Sequence, residues 1–304
     1  MAQSTRIMTE TPMITAVVED EAEAEVTCSA PVPWWSFTKT TLAAAALALV
    51  AQGQLDLDRP VGRWPFTLRQ LLQHRAGLAN YGQLAAYHEA VRNGEAPWPR
   101  EQLLRQVEAD KLVFEPGQGW AYSNIGYLLV RELIENATRR DIGTAVEWLV
   151  LAPLGISGVK VASLPADLAK TAWGNPAGYH PGWVYHGLLI GPAASAALLL
   201  HRLLGGALLP PALLSEMLSP HPVGGPIPGR PWQTAGYGLG LMIGVGDAGA
   251  TFVGHTGEGP GSTAAIYQHG GSPRDGGPHR VAAAFAPVET PAAVECRAMR
   301  LSQC

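Results

Sequence analysis

An uninterrupted apolar stretch from Thr40 to Ala51 constrains the fold of this 304-residue chain more than any other feature. It contains no proline or glycine, and it is too short for a membrane span. Ser36 and Lys39 precede it, and Gly53, a frequent choice at helix C-termini, follows it. The pattern predicts one helix that begins at about Ser36 and ends near Gly53.

The first turn of this predicted helix has the residues of a nucleophilic site. Positions three apart share a helix face, so the Lys39 amine can lie beside the Ser36 hydroxyl. Serine is a weak nucleophile without a base, and lysine serves as that base when burial lowers its pKa. The unpaired amides at a helix N-terminus favour negative charge on the serine oxygen. The spacing indicates a serine hydrolase, although alone the two residues fit a helix cap and a solvated lysine better.

The Ser-x-x-Lys pattern occurs twice, so by itself it is weak evidence. The second copy, Ser157 to Lys160, follows Pro153 and Gly155 in a predicted loop and opens no helix. We interpret that copy as a coincidence.

Two further motifs fit the same chemistry. Tyr122 and Asn124 form the only Tyr-x-Asn of the chain, at the predicted start of a helix. A phenol near a lysine ammonium can act as base and then as acid, and the Asn124 amide can orient the lysine and a substrate carbonyl. His255-Thr256-Gly257 is predicted to end a strand whose edge pairs with the substrate and directs a backbone N–H at an oxyanion.

The order Ser-x-x-Lys, Tyr-x-Asn, His-Thr-Gly resembles that of the serine β-lactamase and penicillin-binding-protein superfamily. It is most similar to the branch that holds class C β-lactamases, D-alanyl-D-alanine peptidases, D-aminopeptidases and family VIII esterases. Residues 53–61, 71–78 and 237–240 look like further landmarks of this family. The similarity extends over roughly residues 30–287.

The resemblance implies a role for each motif residue. Ser36 would be the nucleophile that becomes acylated, Lys39 its partner, and Tyr122 the general base and acid. The backbone N–H groups of Ser36 and Glu258 would form the oxyanion hole. The residues implied in substrate binding and positioning are Asn124, His255, Thr256, Gly257 and Glu258, with His255 in place of a frequent lysine.

The chain departs from the family pattern at two places. Trp34 and Trp35 precede the nucleophile, where small residues are usual, and Glu258 stands where a small or neutral residue is common. Both departures concern the identity of the substrate.

Strand-like alternation near both ends, with helical segments between, predicts an α+β fold (an α/β sandwich). We expect an antiparallel sheet flanked by N- and C-terminal helices, with an inserted, mostly helical domain, as in the β-lactamase/transpeptidase fold. Residues 1–60 with 187–304 would form the α/β domain, residues 61–186 the insert, and the active site would lie between them. The predicted strands cover residues 13–20, 23–28, 237–245, 250–255, 263–269 and 281–287.

Composition narrows the partners and the compartment. Hydrophobic residues make up 47% of the chain and the net charge is −4, without a basic run, so nucleic acid is not expected. Cys28, Cys296 and Cys304 are odd in number and far apart, which indicates free thiols in a reducing compartment. The first 25 residues are acidic and contain no apolar signal segment, so we expect a cytoplasmic protein that does not bind membranes.

No metal or cofactor is implied. His88-Glu89 begins a zinc-protease motif, but position 92 is arginine. The Gly-x-Gly-x-x-Gly pattern at residues 244–249 precedes a predicted strand and not a helix, which favours a hairpin turn over a dinucleotide site.

The expected substrate is a small-molecule ester or amide, and a carboxylesterase-like activity is favoured. β-Lactamase, D-alanyl-D-alanine carboxypeptidase and D-aminopeptidase or amidase activities remain alternatives. A slowly acylated binder or sensor without turnover is an alternative of another class. The oligomeric state is open.

Overall fold

The computed structural model describes residues 13–20, 22–270, 280–288 and 290–303 of the chain. Within these ranges the strands are β1 (Ile14–Glu19), β2 (Ala22–Val26), β3 (Val32–Pro33), β4 (Lys160–Val161), β5 (Leu189–Gly191), β6 (His221–Gly224), β7 (Trp232–Tyr237), β8 (Met242–Gly246), β9 (Thr251–Gly259), β10 (Ser262–His269) and β11 (Arg280–Ala286). The helices are α1 (Thr38–Ala51), α2 (Leu68–Leu72), α3 (Ala85–Arg92), α4 (Arg100–Gln106), α5 (Asn124–Thr138), α6 (Ile142–Val146), α7 (Pro165–Leu168), α8 (Ala193–Leu204), α9 (Pro211–Met217) and α10 (Pro291–Gln303).

An eight-stranded antiparallel sheet joins the two ends of the chain. Its order is β2-β1-β11-β10-β9-β8-β7-β6, so the N-terminal strands add to β11 from near the C-terminus. A small second sheet has the order β3-β5-β4. The predicted α+β class with an antiparallel sheet is confirmed, whereas the division into residues 1–60 with 187–304 and residues 61–186 stays a prediction.

Helices cover both faces of the large sheet. Successive side chains of a strand point to opposite faces. Ala283 and Phe285 of β11 therefore lie in a core with α1 and α8, while Ala284 and Ala286 pack against α10. This explains why β11 is an apolar run without alternation, and it agrees with the expected sandwich.

Helix α1 lies inside the larger core and is buried from Thr38 through Leu49. A helix that is apolar on every side is stable only when it is buried on every side, and α5 and α6 pack against it. Gly53 follows its C-terminus at φ +69°, as its C-cap role predicts. The helix begins at Thr38, two residues later than Ser36, because Ser36 lies in a preceding 3₁₀ turn.

Two details of the predicted sheet are wrong. Residues 237–245 were expected as one strand, but β7 ends at Tyr237 and β8 begins at Met242. The turn between them brings Gly240, at φ +80°, against α1, where a side chain would collide with Ala43. Strand β9 also continues to Gly259, so the His-Thr-Gly motif lies inside this strand and not at its end. The hairpin turn predicted at residues 244–249 is present between β8 and β9.

No helix in the described part of the chain is both long and apolar enough to cross a membrane. Cys28 and Cys296 are unpaired, and Cys296 is exposed. Cys304, residues 1–12 and Glu21, which bear on the compartment prediction, lie outside the described residues.

Candidate active site

Ser36 lies in a short turn between β3 and α1 that two tryptophans hold in place. The preceding Trp35 has φ +44°, a left-handed conformation that is unusual for a bulky residue. The buried Trp34 indole N–H donates to the Gly191 carbonyl at 3.3 Å, and the Trp35 indole N–H donates to Ser262 Oγ at 2.8 Å. These anchors on the small and the large sheet explain why two large residues precede Ser36.

One edge of β9 runs against this turn. Pairing between β8 and β9 stops at Met242 and Gly254, so the segment from His255 to Gly259 is paired with β10 alone among the described strands. A Cβ atom on Gly257 would come within 2.6 Å of the Ser36 nitrogen and 2.7 Å of the Trp34 oxygen. Glycine at this position therefore allows the strand edge to lie beside the backbone of Ser36, as an oxyanion hole shared by Ser36 and Glu258 would require.

Lys39 lies beside Ser36 and is fully buried. The distance between Lys39 Nζ and Ser36 Oγ is 3.1 Å. Burial lowers the pKa of Lys39 well below its ordinary value of 10.5. The predicted contact between serine and lysine is present, and the lysine has the environment that favours a neutral amine.

Tyr122 also reaches Ser36. Its phenol interacts with the Ser36 side chain, and its ring centroid lies 5.0 Å from Lys39 Nζ. Burial of the phenol raises the Tyr122 pKa, although the interaction with Ser36 and the positive charge of Arg230 act in the opposite direction. Ser36, Lys39 and Tyr122 thus form one contiguous site, in which Tyr122 keeps its proton at neutral pH.

Three buried histidines lie around Lys39. They are His74, His186 and His255, and burial is the largest cause that lowers the pKa of each. The pKa of His255 falls to about 3. All three rings are therefore neutral at pH 7.

Two of these histidines were not among the predicted site residues. His186 Nε2 lies 3.3 Å from Lys39 Nζ, and the His74 ring packs against Tyr122 with a centroid distance of 4.2 Å and an interplanar angle of 38°. His74 belongs to residues 71–78, which carried part of the family resemblance, so a signal for it existed. His186 has no such signal, because 147 positions separate it from Lys39.

His255 is a positioning residue in this geometry. Its Nδ1 lies 2.6 Å from the Thr256 carbonyl oxygen, which only accepts hydrogen bonds, so Nδ1 carries the proton. Its Nε2 then accepts from the Tyr237 hydroxyl at 2.7 Å. Both ring nitrogens are occupied by the protein itself.

The side chain of Thr256 also binds within the protein. Its hydroxyl contacts Tyr267 and donates to the carboxylate of Glu295, which α10 places at zero exposure. Arg230 forms a two-pronged ion pair with the same carboxylate, in which Nε and Oε2 are 2.8 Å apart. Trp232 Nε1 donates to it at 3.2 Å. This charged network was not predicted from the sequence.

Asn124 lines the active-site cavity but is not among the hydrogen-bond partners of Lys39 in the described residues, which are Ser36 and His186. The Asn124 amide donates instead to Asn80 Oδ1 at 3.2 Å. The predicted role towards a substrate carbonyl stays a prediction.

A cavity of about 370 Å³ opens at Ser36. Its wall is rich in aromatic residues and also contains the exposed Glu258. The residues that line it include Trp35, Ser36, Tyr81, Tyr87, Asn124, Tyr179, His186 and Glu258.

Comparison with known proteins gives a consistent result. A family model described as Beta-lactamase matches residues 13–272. Esterase EstB of Burkholderia gladioli is 33% identical over 141 residues, which cover 40% of this chain and 36% of EstB. The matched region thus spans about a third of the length of that relative.

Solved structures share the fold over nearly the whole chain. A D-stereospecific amidohydrolase from Streptomyces sp. superposes with a TM-score of 0.75 at 25% identity, covering 93% of this chain and 91% of its own. The D-amino acid amidase from Ochrobactrum anthropi SV3 has a TM-score of 0.73 at 21% identity, with 90% and 87% covered. The second likeness concerns the fold alone.

Proposed function

Since the chain belongs to the beta-lactamase family, we propose that it is a serine hydrolase that cleaves an ester or amide bond of a small molecule. The observation that supports this most is the 3.1 Å contact between Ser36 Oγ and the buried Lys39 amine, at the mouth of a cavity. Ser36 is half-buried and borders the cavity, so a carbonyl carbon can reach its oxygen.

The first step is acylation of Ser36. The Ser36 proton moves to Lys39 Nζ while Oγ forms a bond to the substrate carbonyl carbon, and the carbonyl electron pair moves onto oxygen. Backbone N–H groups of Ser36 and Glu258 stabilise this oxyanion, at about 3 kcal/mol for each donor in comparable sites. The tetrahedral intermediate then collapses, and the leaving oxygen or nitrogen takes a proton from Tyr122.

Lys39 returns its proton to Tyr122, which restores both groups before water enters. Water then attacks the acyl-Ser36 carbonyl and gives a proton to Lys39. Lys39 passes this proton to Ser36 Oγ as the bond between Oγ and the acyl carbon breaks. The acid product is released and the starting state is regenerated. Each proton taken by Lys39 is therefore passed on within the Ser36, Lys39 and Tyr122 group.

This scheme assigns the base role to Lys39 and keeps Tyr122 as an acid. The resemblance implies Tyr122 as the base, but the resting site would then hold a phenolate beside an ammonium, two charges without water. In the scheme proposed here that pair forms only briefly, after the leaving group has been protonated. Burial acts against both charged forms, since it lowers the pKa of Lys39 and raises that of Tyr122. The pair with a neutral amine and a neutral phenol is therefore favoured.

The cavity favours a substrate that is uncharged or cationic. Trp35, Tyr81, Tyr87 and Tyr179 provide apolar wall, and among the described lining residues there is no lysine or arginine. Arg230, the cation near the third motif, is already paired with Glu295. A neutral ester or amide fits this wall better than a substrate whose carboxylate must lie beside the scissile bond.

An amide substrate with a free amine is the second candidate. Glu258 borders the cavity together with aromatic rings, and a carboxylate and ring faces both attract an ammonium group. The likeness to the D-stereospecific amidohydrolase at 25% identity adds support.

We further propose a cytoplasmic location, on the basis of the free Cys28 and Cys296. Reducing compartments keep thiols unpaired.

Hydrolysis of p-nitrophenyl butyrate by wild type and Ser36→Ala tests the proposal. Turnover should vanish in Ser36→Ala and persist in Ser157→Ala, the matched change in the second Ser-x-x-Lys copy. Equal activity of Ser36→Ala and wild type would reject the serine mechanism. A burst that stops after one equivalent would favour the slowly acylated binder over the enzyme.

The amine preference has its own test. Glu258→Gln should reduce kcat/KM for phenylalanine amide more than for its N-acetylated form, because only the first carries an ammonium group. Equal reductions for both would remove the second candidate.

A further inference from the structure

The orientation of Lys39 decides whether it can act as a base. A neutral amine has one lone pair and two N–H hydrogens. If Lys39 takes the Ser36 proton, as the proposed function requires, its lone pair must face Ser36 Oγ and its hydrogens must point elsewhere.

One good acceptor is available for those hydrogens. Among the described residues, the hydrogen bonds of Lys39 Nζ go to Ser36 Oγ at 3.1 Å and His186 Nε2 at 3.3 Å. The ring centroids of Tyr122 and Tyr127 are farther away, at 5.0 and 5.7 Å. With the lone pair directed at Ser36, the strongest remaining partner of the amine is the Nε2 lone pair of His186.

We propose that His186 is a positioning residue that directs the Lys39 lone pair at the nucleophile. In this arrangement His186 is the neutral tautomer with its proton on Nδ1, and its Nε2 accepts an N–H from Lys39. The opposite tautomer would donate Nε2–H to the amine and so occupy the lone pair that Ser36 needs. The positioning role of His186 rests on the proposed function, but its tautomer can be observed independently of activity.

Hydrogen bonds anchor the backbone on both sides of His186. The carbonyl of the preceding Tyr185 accepts from Arg131 of α5 at 3.3 Å. Downstream, the Leu189 amide donates to Thr38 Oγ1 of α1 at 3.1 Å. The segment that carries His186 is thus attached to the helix that carries Lys39 and to the helix that follows Tyr122.

A packing role alone does not account for a histidine here. His186 is 2% exposed, and its Nδ1 has no hydrogen-bond partner among the described residues. An unpaired buried N–H costs about 1–3 kcal/mol, which an apolar residue of similar size would avoid. The ring nitrogen that has a hydrogen-bond partner is Nε2, which faces Lys39.

Nitrogen-15 NMR of the histidine rings tests the arrangement without reference to activity. At pH 7 the His186 Nδ1 should be protonated and Nε2 bare, and Lys39→Met should move the Nε2 resonance. A proton on Nε2, or an imidazolium at pH 7, would overturn the proposal.

Steady-state kinetics test whether His186 supports catalysis through Lys39. His186→Leu should lower kcat/KM about 10²-fold, the scale of a misplaced catalytic group. His186→Gln offers an amide oxygen near the position of Nε2 and should recover at least about tenfold of that loss. Full activity of His186→Leu, or no recovery in His186→Gln when both fold, would contradict the positioning role.

Activity retained by Ser36→Ala would instead reject the proposed function. The NMR result would then decide the arrangement of His186 and Lys39 alone.

Discussion

Neighbouring residues of β9 extend into two buried polar clusters of opposite character. His255 belongs to the lysine cluster, which we define as Lys39, His74, Tyr122, His186 and His255. Thr256 belongs to the glutamate cluster, defined as Arg230, Trp232, Thr256, Tyr267 and Glu295. Successive side chains of a strand point to opposite faces, so one strand contributes to both clusters.

The clusters differ in how charge is balanced. Glu295 receives hydrogen bonds from Arg230, Trp232 and Thr256, so its negative charge is paired. The lysine cluster contains no acidic residue, and His74 Nε2 and His186 Nδ1 have no partner among the described residues. Removing one partner of a buried ion pair destabilises the fold because the other charge is left without compensation, whereas an unpaired buried amine is kept neutral and therefore basic. The glutamate cluster is organised for stability and the lysine cluster for chemistry.

Replacing Lys39 should give the largest effect: a strong loss of activity without a loss of stability. Lys39→Met removes the base and should lower kcat/KM by up to about 10⁴-fold. The free energy of unfolding should stay the same or rise, because a buried amine without a counter-charge is lost. Urea denaturation and ester hydrolysis of the same samples measure both effects.

Lys160→Met is the matched control, since Lys160 belongs to the second Ser-x-x-Lys copy and is exposed. It should leave activity intact. A marked loss of stability in Lys39→Met would mean that the lysine cluster is structural after all.

The sequence predicted the lysine cluster better than the glutamate cluster. Ser36, Lys39 and the α1 helix follow from local spacing and an apolar run, which act within a few residues. Arg230 and Glu295 are 65 positions apart, and no periodicity links them. Contacts of this kind depend on which strands become neighbours, and a single sequence does not contain that information.

The same reason explains the errors in the sheet. Tyr237 and Met242 belong to two strands because Gly240 fits against α1, a tertiary contact that the local strand-like pattern does not reveal. The motif residues were identified, but the orientations of His255 and Thr256 depend on partners elsewhere in the chain.

Glu295→Gln should have the opposite effect: a strong loss of stability with little change in activity. It leaves Arg230 without its counter-charge and should lower the free energy of unfolding by about 3 kcal/mol. Activity of the folded fraction should change far less than in Lys39→Met. Urea denaturation measures the loss, and adding Arg230→Met should recover much of it because the unpaired charge is then removed.

Asp110→Asn serves as the control for Glu295→Gln. Its ion pair with Arg63 is exposed, with side-chain exposures of 78% and 73%, and should contribute at most about 1 kcal/mol. If Glu295→Gln lowers the free energy of unfolding no more than this control does, the glutamate cluster stabilises the fold no more than an exposed ion pair.

The histidines of the lysine cluster predict a smaller, pH-dependent effect. In the unfolded chain an imidazole is protonated below its ordinary pKa of 6.5, whereas folded His255 resists protonation until its pKa of about 3. The unfolded state therefore binds more protons between these values. The free energy of unfolding should fall as pH falls from about 6.5 to about 3, by up to about 1.4 kcal/mol per pH unit for each such histidine.

Urea denaturation at pH 7 and pH 5 measures this slope. His255→Gln should make it shallower, and replacement of the exposed His88 serves as the control for a change in histidine number. A slope unchanged by His255→Gln would show that His255 is not held neutral by burial.

The state of the Lys39 amine tests the central claim most directly. Nitrogen-15 NMR of lysine side chains can follow it, because the other lysines are only Lys111, Lys160 and Lys170, and Lys39→Met assigns its signal. We predict the signal of a neutral amine at pH 7, with a pKa well below the ordinary 10.5. An ammonium signal for Lys39 that persists up to about pH 10 would contradict the account, because such a lysine could not accept the Ser36 proton.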